Sequence, residues 1–424
     1  MFENVIDQPS VAVLTADLRA GRLPPSVLFS GPAYSGKLTA ALELARVLSC
    51  EAGSGGWSCT CPSCLRHKEL ASPDTLILGA RSCVQEIRAA AASLLSADPP
   101  SPALRYLFLR AVRKLTLRFH PVFADSPERA AKPASVLASL NEYLEELSPA
   151  YPAPDSDRLA KLTEAAVDAS VRLEENFLYS SVPVGFVRSV SSWLRIKPAG
   201  KVKVLIVENT ETMQDAARNA FLKILEEPPE SVQFVLTTVQ KSAVMPTILS
   251  RVRNYSFSAR SAASQEEVIR RIFRAAPAPG QTIAGFLNQF LPVKPDSIAI
   301  CARRFLFSVL CAAGRGKRLS AMQAMGGVLS AYEPAAREKI SPPEIAAALN
   351  KGKPLPVWRL FLSSVAGEIR LAMRQPALSP EETEVFRRWM QALKTAFTGT
   401  TVFNLSPAAS LERLDAEFRA AIQG

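Results

Sequence analysis

Two groups of residues in this chain could bind and process a phosphate compound. Gly31-Pro-Ala-Tyr-Ser-Gly36-Lys37 is a G-x-x-x-x-G-K run between a short apolar strand, Ser26–Phe29, and a helix expected over Leu38–Leu48. The glycines let backbone N–H groups wrap a phosphate, the helix N-terminus faces it, and the lysine reaches the outer phosphates. The next residue is usually a Ser or Thr that holds Mg²⁺. Here it is Leu38, and Thr39 comes one position late, about 100° further round the helix. The second group is Glu208-Asn209, at the end of the apolar run Val204–Val207. Nucleotide hydrolysis needs an acid there for Mg²⁺ and often a Glu to polarise water. Glu208 keeps a carboxylate on a longer stem, but Asn209 cannot accept a proton, and a missing general base costs about 10²–10⁴ in rate. Gly31, Ser35, Gly36, Lys37, Thr39 and Glu208 are the candidate contacts to ATP or ADP. The alternative is a relic loop that holds nothing. On either reading Mg²⁺ ligation is impaired and hydrolysis by this chain is not expected.

Cys50, Cys59, Cys61 and Cys64 lie within CEAGSGGWSCTCPSC. Four thiolates so close can close a tetrahedral, structural zinc site, with the Gly-rich stretch turning the chain between the first and second ligands. Cys83, Cys301 and Cys311 read as small core residues. His67 reads as a solvated helix residue rather than a further ligand, and His120 has no evident partner.

The elements that must position these groups follow from periodicity. Buried strands are expected at Ser26–Phe29, Thr75–Leu78, Val204–Val207 and Phe234-Val235-Leu236, with a helix over Asp215–Glu227 that Pro228-Pro229 cannot continue. Strand–helix–strand units of this kind build a parallel sheet whose ligands sit beyond the carboxyl ends of the strands. Residues 83–180 show helical rather than strand periodicity and read as an insertion. One apolar face is Leu104, Leu107, Phe108, Ala111, Leu115 and Phe119, with Arg110, Arg113, Lys114 and Arg118 mostly off it. That basic helix, Arg105–Arg118, is either a DNA-facing surface or the solvated face of a packed helix. Val184–Leu194 reads as a helix returning to the sheet. Beyond Arg260 only helical signal remains, in a small unit to about Pro295 and a larger one from Ser297. No internal repeat is visible.

With 424 residues the chain should form two to four domains. Its net charge of +11 and pI near 9.4 fit a polyanion such as DNA, or simple solubility. No apolar run approaches the roughly 20 residues of a membrane span, and MFENVIDQPS lacks the features of a signal peptide, so a cytoplasmic protein is expected.

Two blocks carry a family resemblance. FENVIDQPSVAVLTADLRAGRLPPSVLFSGPAYSGK resembles the opening of bacterial clamp-loader AAA+ subunits, and NAFLKILEEPPESVQFVLTT followed by PTILSR is similar to that family's most distinctive block. The likeness covers residues 1–80 and 182–258 and is absent from 83–180. It implies an α/β AAA+ P-loop core over 1–258, including the zinc knuckle at 50–64, then a helical lid at 259–296 and an all-α collar at 297–424. Within the family, motor subunits keep the Mg²⁺ threonine and an Asp-Glu pair, whereas delta-prime-type subunits often have degraded ATP motifs but keep Ser-Arg. This chain follows the second pattern, with Ser250-Arg251 and Val252 where the family has Cys. The resemblance implies that Arg251 acts as an arginine finger in a neighbour's ATP site, where such residues are worth about 10³–10⁵ in rate. It also implies a hetero-pentameric ring with motor (gamma/tau) and delta subunits that loads a sliding clamp on primed DNA. Arg188 lies on the helix that the family sets near DNA, and Lys223 is a weaker candidate; both would contact phosphates. The alternatives are a motor-type ATPase using Thr39 and Glu208, and a repair or recombination adaptor on the same fold.

Overall fold

A computed structural model describes residues 1–123, 127–179, 181–313, 323–350, 354–376, 378–401 and 405–423. They fall into two units, Met1–Leu287 and Asn288–Gly424.

In the first unit α1 (Pro9–Arg19) precedes β1 (Ser26–Ser30), and α2 (Lys37–Ser49) and α3 (Pro62–Lys68) lead to β2 (Thr75–Leu78). Next come α4 (Val84–Leu95), α5 (Pro102–Thr116), α6 (Pro127–Glu146) and α7 (Ser156–Phe177), and α8 (Val184–Arg195) returns the chain to β3 (Lys203–Val207). Then follow α9 (Asp215–Glu226), β4 (Val232–Thr238), α10 (Pro246–Leu249), β5 (Arg253–Ser256), α11 (Ala262–Ile272) and α12 (Ile283–Asn288).

The strands form one sheet in the order β2-β3-β4-β1-β5, and every neighbouring pair is parallel. Alternation along each strand feeds two cores. Val27, Phe29, Val204, Ile206 and Val235 pack with Leu14, Ala41 and Leu44 from α1 and α2. Leu28, Leu205, Val207, Phe234 and Leu236 pack with Val187, Val190, Phe221 and Leu225 from α8 and α9. A parallel sheet covered on both faces explains why its strands read as unbroken apolar runs. Each fully buried Val, Leu or Phe contributes about 1.5–3 kcal/mol, so a register slip that exchanged the two faces would be strongly disfavoured. The expected strands form. β5, with the sequence Arg-Asn-Tyr-Ser, went unread because Tyr255 is its single buried residue. The Tyr255 hydroxyl donates to Asp17 at 2.8 Å, and Arg253 pairs with the same carboxylate at 2.6 Å.

The insertion has its own core, in which Leu104, Phe108, Ala111 and Leu115 meet Ile87, Leu94, Leu140, Leu144 and Leu173. Glu174 of α7 accepts from the amides of Cys83 and Val84 at 2.6 and 3.2 Å, fixing the start of α4.

The second unit contains α13 (Pro295–Ala313), α14 (Gln323–Ser330), α15 (Pro342–Leu349), α16 (Pro354–Met373), α17 (Pro380–Thr401) and α18 (Pro407–Gln423). Its core centres on Trp389, which stacks on Phe418 with ring centroids 4.6 Å apart and donates through Nε1 to the Phe418 carbonyl at 3.0 Å. Residues 314–322, 351–353, 377, 402–404 and 424 of the expected collar lie outside the described residues. No described helix is long and apolar enough to cross a membrane.

Candidate functional site

The phosphate loop leaves the carboxyl end of β1 and enters α2. Gly31 has φ +149°, and a Cβ there would lie 2.2 Å from the Phe257 carbonyl oxygen, so the close approach of the chain after β5 requires glycine. Gly36, at φ +95°, caps α2 in the left-handed region, and a Cβ there would meet Arg260 Nη2 at 2.9 Å. Among the described residues, the amides of Ala33, Tyr34, Ser35, Gly36 and Lys37 donate to no protein acceptor, which leaves a row of N–H groups at the helix N-terminus. Lys37 is buried, and its Nζ donates to the carbonyls of Gly31 at 2.7 Å and Pro32 at 2.5 Å and to Ser35 Oγ at 3.3 Å. Burial pushes its ammonium down to about 8, against the pull of Glu211.

Two residues at this loop were not found from the sequence. Arg260 braces the loop from the chain after β5, donating to Tyr34 O at 3.1 Å, Ser35 O at 3.2 Å and Ile6 O. Glu211 accepts from Val239 N at 3.0 Å through Oε1, while its buried Oε2 has no partner. Neither belongs to a motif; each is brought in by the return of a distant segment.

The acidic strand end differs most from expectation. Glu208 is 4% exposed and has no free oxygen for a metal. Its Oε1 accepts from Arg81 Nε at 3.1 Å, and its Oε2 is paired with Arg118 Nη2. Burial would raise its pKa, but the two guanidinium groups hold the carboxyl below the usual range. Leu38 packs against the α2-side core, so neither side of a Mg²⁺ shell is furnished by the expected positions. Asn209, at φ +51°, offers an amide where hydrolysis needs a base.

The cations of the basic helix α5 bond other parts of the chain instead of standing free on a solvated face. Arg105 donates to the carbonyls of Leu147 at 3.1 Å and Tyr151 at 2.9 Å, and to Ser148 O. Arg110 donates to His67 O and Lys68 O, both at 3.0 Å, and Arg113 to Glu69 O at 2.9 Å. Lys114 pairs with Glu86. Arg105, Arg110 and Arg113 thus satisfy carbonyls exposed at the ends of α6 and α3, where the helix dipole favours positive charge.

At the knuckle the Sγ atoms of Cys50, Cys59, Cys61 and Cys64 all lie within 4.8 Å of one another, with Cys50 and Cys59 3.8 Å apart. A ZnS₄ tetrahedron with Zn–S near 2.3 Å has edges of about 3.8 Å, so the four thiols are compatible with structural zinc. Gly53 and Gly55, at φ +70° and +59°, make the turn between the first two ligands, while Thr60 takes no left-handed backbone despite the short Cys59-x-Cys61 spacing. Cys61 caps α3, its Sγ accepting from Cys64 N at 3.4 Å. Burial would raise the Cys61 thiol, but the amides of Cys64, Ala52 and Glu51 bring it down to about 6, whereas burial and the neighbouring thiols push the Cys64 thiol up. Trp57, inside the cysteine loop, has Arg46, Lys68 and Arg110 at 5.5, 5.6 and 5.5 Å from its ring centroid. His67 is 3% exposed and so not solvated: the insertion's Arg110 covers the end of α3. His120 does have a partner, its Nδ1 accepting from Val122 N at 3.2 Å.

Ser250-Arg251 follows α10. Arg251 Nη2 pairs with Glu226 at 2.8 Å, and Nη1 donates to Thr247 O at 2.7 Å. The guanidinium borders a shallow surface recess with Pro25, Ser26, Leu225 and Pro228. Arg253, two residues on, is register-paired with Val27 at the start of β1. Arg251 thus lies at the amino end of the sheet and Gly31–Lys37 at the carboxyl end, separated by the five residues of β1, about 16 Å of strand. Arg188 on α8 and Lys223 on α9 are exposed on two helices packed together, and neither has an ion pair among the described residues.

Comparison with known proteins gives matches that cover part of the chain. A family model described as "DNA polymerase III, delta subunit" matches residues 6–104 and 161–261, under half of the chain, and skips the middle of the insertion. DNA polymerase III subunit gamma/tau of Mycobacterium tuberculosis is 42% identical over 57 residues, 13% of this chain and 10% of that protein. Subunit delta' of Yersinia pestis is 40% identical over 73 residues, 17% of this chain and 22% of that protein. The matches thus span between a tenth and a quarter of these relatives' length. A gamma subunit-related protein from Thermotoga maritima aligns over 69% of this chain and 91% of its own at 18% identity, with a TM-score of 0.30. The sequence matches are to DNA polymerase III subunits, with gamma/tau and delta' proteins alike among them.

Proposed function

We propose that this chain is a non-hydrolysing, delta-prime-type stator of a bacterial clamp loader, whose Arg251 completes the ATP site of a neighbouring motor subunit. The observation that carries this reading is the separation of Arg251 from the chain's own phosphate loop by the length of β1. An arginine at the amino end of a parallel sheet cannot serve a phosphate held at the carboxyl end of the same sheet. It can serve one held by another chain. A permanently charged, planar guanidinium suits charge developing on a transferred phosphoryl group. The exposed pair with Glu226 is worth roughly 0–1 kcal/mol, so it presents Arg251 without trapping it.

The chain's own site argues against a motor. Glu208 is taken by two arginines, Leu38 offers no hydroxyl and Asn209 no base. In this reading the cysteine knuckle, holding zinc, braces α2 and α3 beneath the loop, residues 259–296 form the lid, and 297–424 form the collar of a five-membered ring with motor and delta subunits. The ring would open a sliding clamp and place it on primed DNA, with Arg188 contributing a phosphate contact. Reconstituting the ring with Arg251→Ala tests the reading: ATP turnover by the unmutated motor subunit should fall.

A further inference from the structure

Clamp-loader resemblance brings an expectation of Mg²⁺ that the residues at the end of β3 do not meet. Mg²⁺ is ordinarily held through one or two carboxylates together with substrate phosphates, and it keeps several waters. Here the carboxylate already has its cations. Arg118 reaches Glu208 from the end of α5 and also donates through Nε to Gly79 O at 3.0 Å. Arg81 takes the other oxygen and continues to Glu86 at 3.2 Å. A Cβ on Gly79 would lie 2.8 Å from Glu208 Cβ, so the two strand ends are pressed together and leave no space on that side for a hydrated ion.

The arrangement is built rather than incidental. The segment that delivers Arg118 is anchored at both ends. About 12 Å back along the helix, Arg110 bonds the last carbonyls of the knuckle helix α3 and faces Trp57. Lys114, between them, pairs with Glu86, which also holds Arg81. The family match resumes only at residue 161 after stopping at 104, so α5 lies almost wholly in the part of the chain that has no counterpart there.

We propose that the insertion is a built-in replacement for the metal. Arg118, with Arg81, occupies Glu208 in place of a divalent cation, so the phosphate loop takes a nucleoside diphosphate or triphosphate without Mg²⁺. The charge and donors come from Lys37 and from the free amides of Ala33–Lys37, with Arg260 holding the loop in shape. This inference rests on reading Gly31–Lys37 as a phosphate loop. It is independent of Arg251, whose role is read in the assembled ring.

Calorimetric titration of the full wild-type chain with ADP, once in Mg²⁺ and once in EDTA, tests it. The expected result is binding in both buffers with affinities equal within about twofold, lost by about tenfold or more in Lys37→Met. Affinity tightened by Mg²⁺ about tenfold or more overturns the proposal, and loss of that gain in Glu208→Gln would show that the carboxylate reaches the metal after all. Absence of binding in both buffers overturns it equally. None of these results bears on the Arg251 reading.

Discussion

Arg118 and Glu208, ninety positions apart in sequence, form an ion pair in which the side chains are 0% and 4% exposed. The acid stands where a hydrolysing enzyme would place a metal ligand, and the base comes from a helical segment outside the sheet. A position that looks half-competent for catalysis in sequence is, in three dimensions, a structural joint between the insertion and the sheet.

Breaking that joint from one side should be costly. Arg118→Met leaves Glu208 buried beside Arg81 alone, and loss of one member of a buried pair costs about 3–5 kcal/mol. Chemical denaturation followed by a probe of the first unit, such as Trp57 fluorescence, should show a loss of that order. The double replacement Arg118→Met with Glu208→Leu should recover much of it, because no buried charge is then left bare. A single-variant loss under about 1 kcal/mol would mean that water reaches the pair.

Acid should loosen the same network. Burial would raise the Glu86 carboxyl, but Lys114 and Arg81 hold it down at about 2, against 4.5 for the free group. A folded-state pKa below the unfolded one adds stability that is fully present above about 4.5 and is lost as pH falls toward 2. The stability gap between wild type and Glu86→Gln should therefore be flat at neutral pH and shrink below 4.5. A gap that does not change down to pH 3 would contradict the pairing.

Lys37 should set an alkaline limit on ligand binding. Its burial brings the ammonium to about 8 instead of 10.5, so ADP affinity should fall as pH rises through 8. Titration at stepped pH checks this, with Lys37→Met giving a weak and pH-flat profile. Affinity that holds until pH 10 would show an ordinary, solvated lysine.

The knuckle should carry zinc in a role tied to the insertion. Elemental analysis of purified chain should find stoichiometric zinc, lost in Cys64→Ser. Because Arg110 and Arg113 dock on the end of α3, loss of metal should expose residues 50–69 to protease and change Trp57 fluorescence. Full occupancy in Cys64→Ser would remove Cys64 from the ligand set.

Local pattern carried the sheet and most of its loops. Val204–Val207 and Thr75–Leu78 are buried on both faces and so legible as strands, although the second lies at an edge of the sheet, and Gly31 and Gly36 stand where backbone geometry excludes a Cβ. β5 was not legible, since an edge strand with one buried side chain has no period to read. The four thiols were legible through their spacing, whereas burial of His67 was not, because it depends on an arginine 43 residues away. The cations of α5 were misread for the same reason: a helix wheel shows which residues leave the apolar stripe, not which carbonyls await them. Arg118, Arg81, Arg260 and Glu211 are all long-range partners, and no local signal marks them.

The central claim is that Arg251 acts on a phosphate held by another chain, and one measurement addresses it directly. A clamp-loader ring is reconstituted with Arg251→Ala in this chain and unmutated motor and delta subunits, and clamp- and DNA-stimulated ATP turnover is followed. With ring assembly intact by size-exclusion, the account predicts that turnover at the neighbouring motor site falls by about 10³ or more, as the loss of an arginine finger would require. Turnover at the wild-type rate would contradict it.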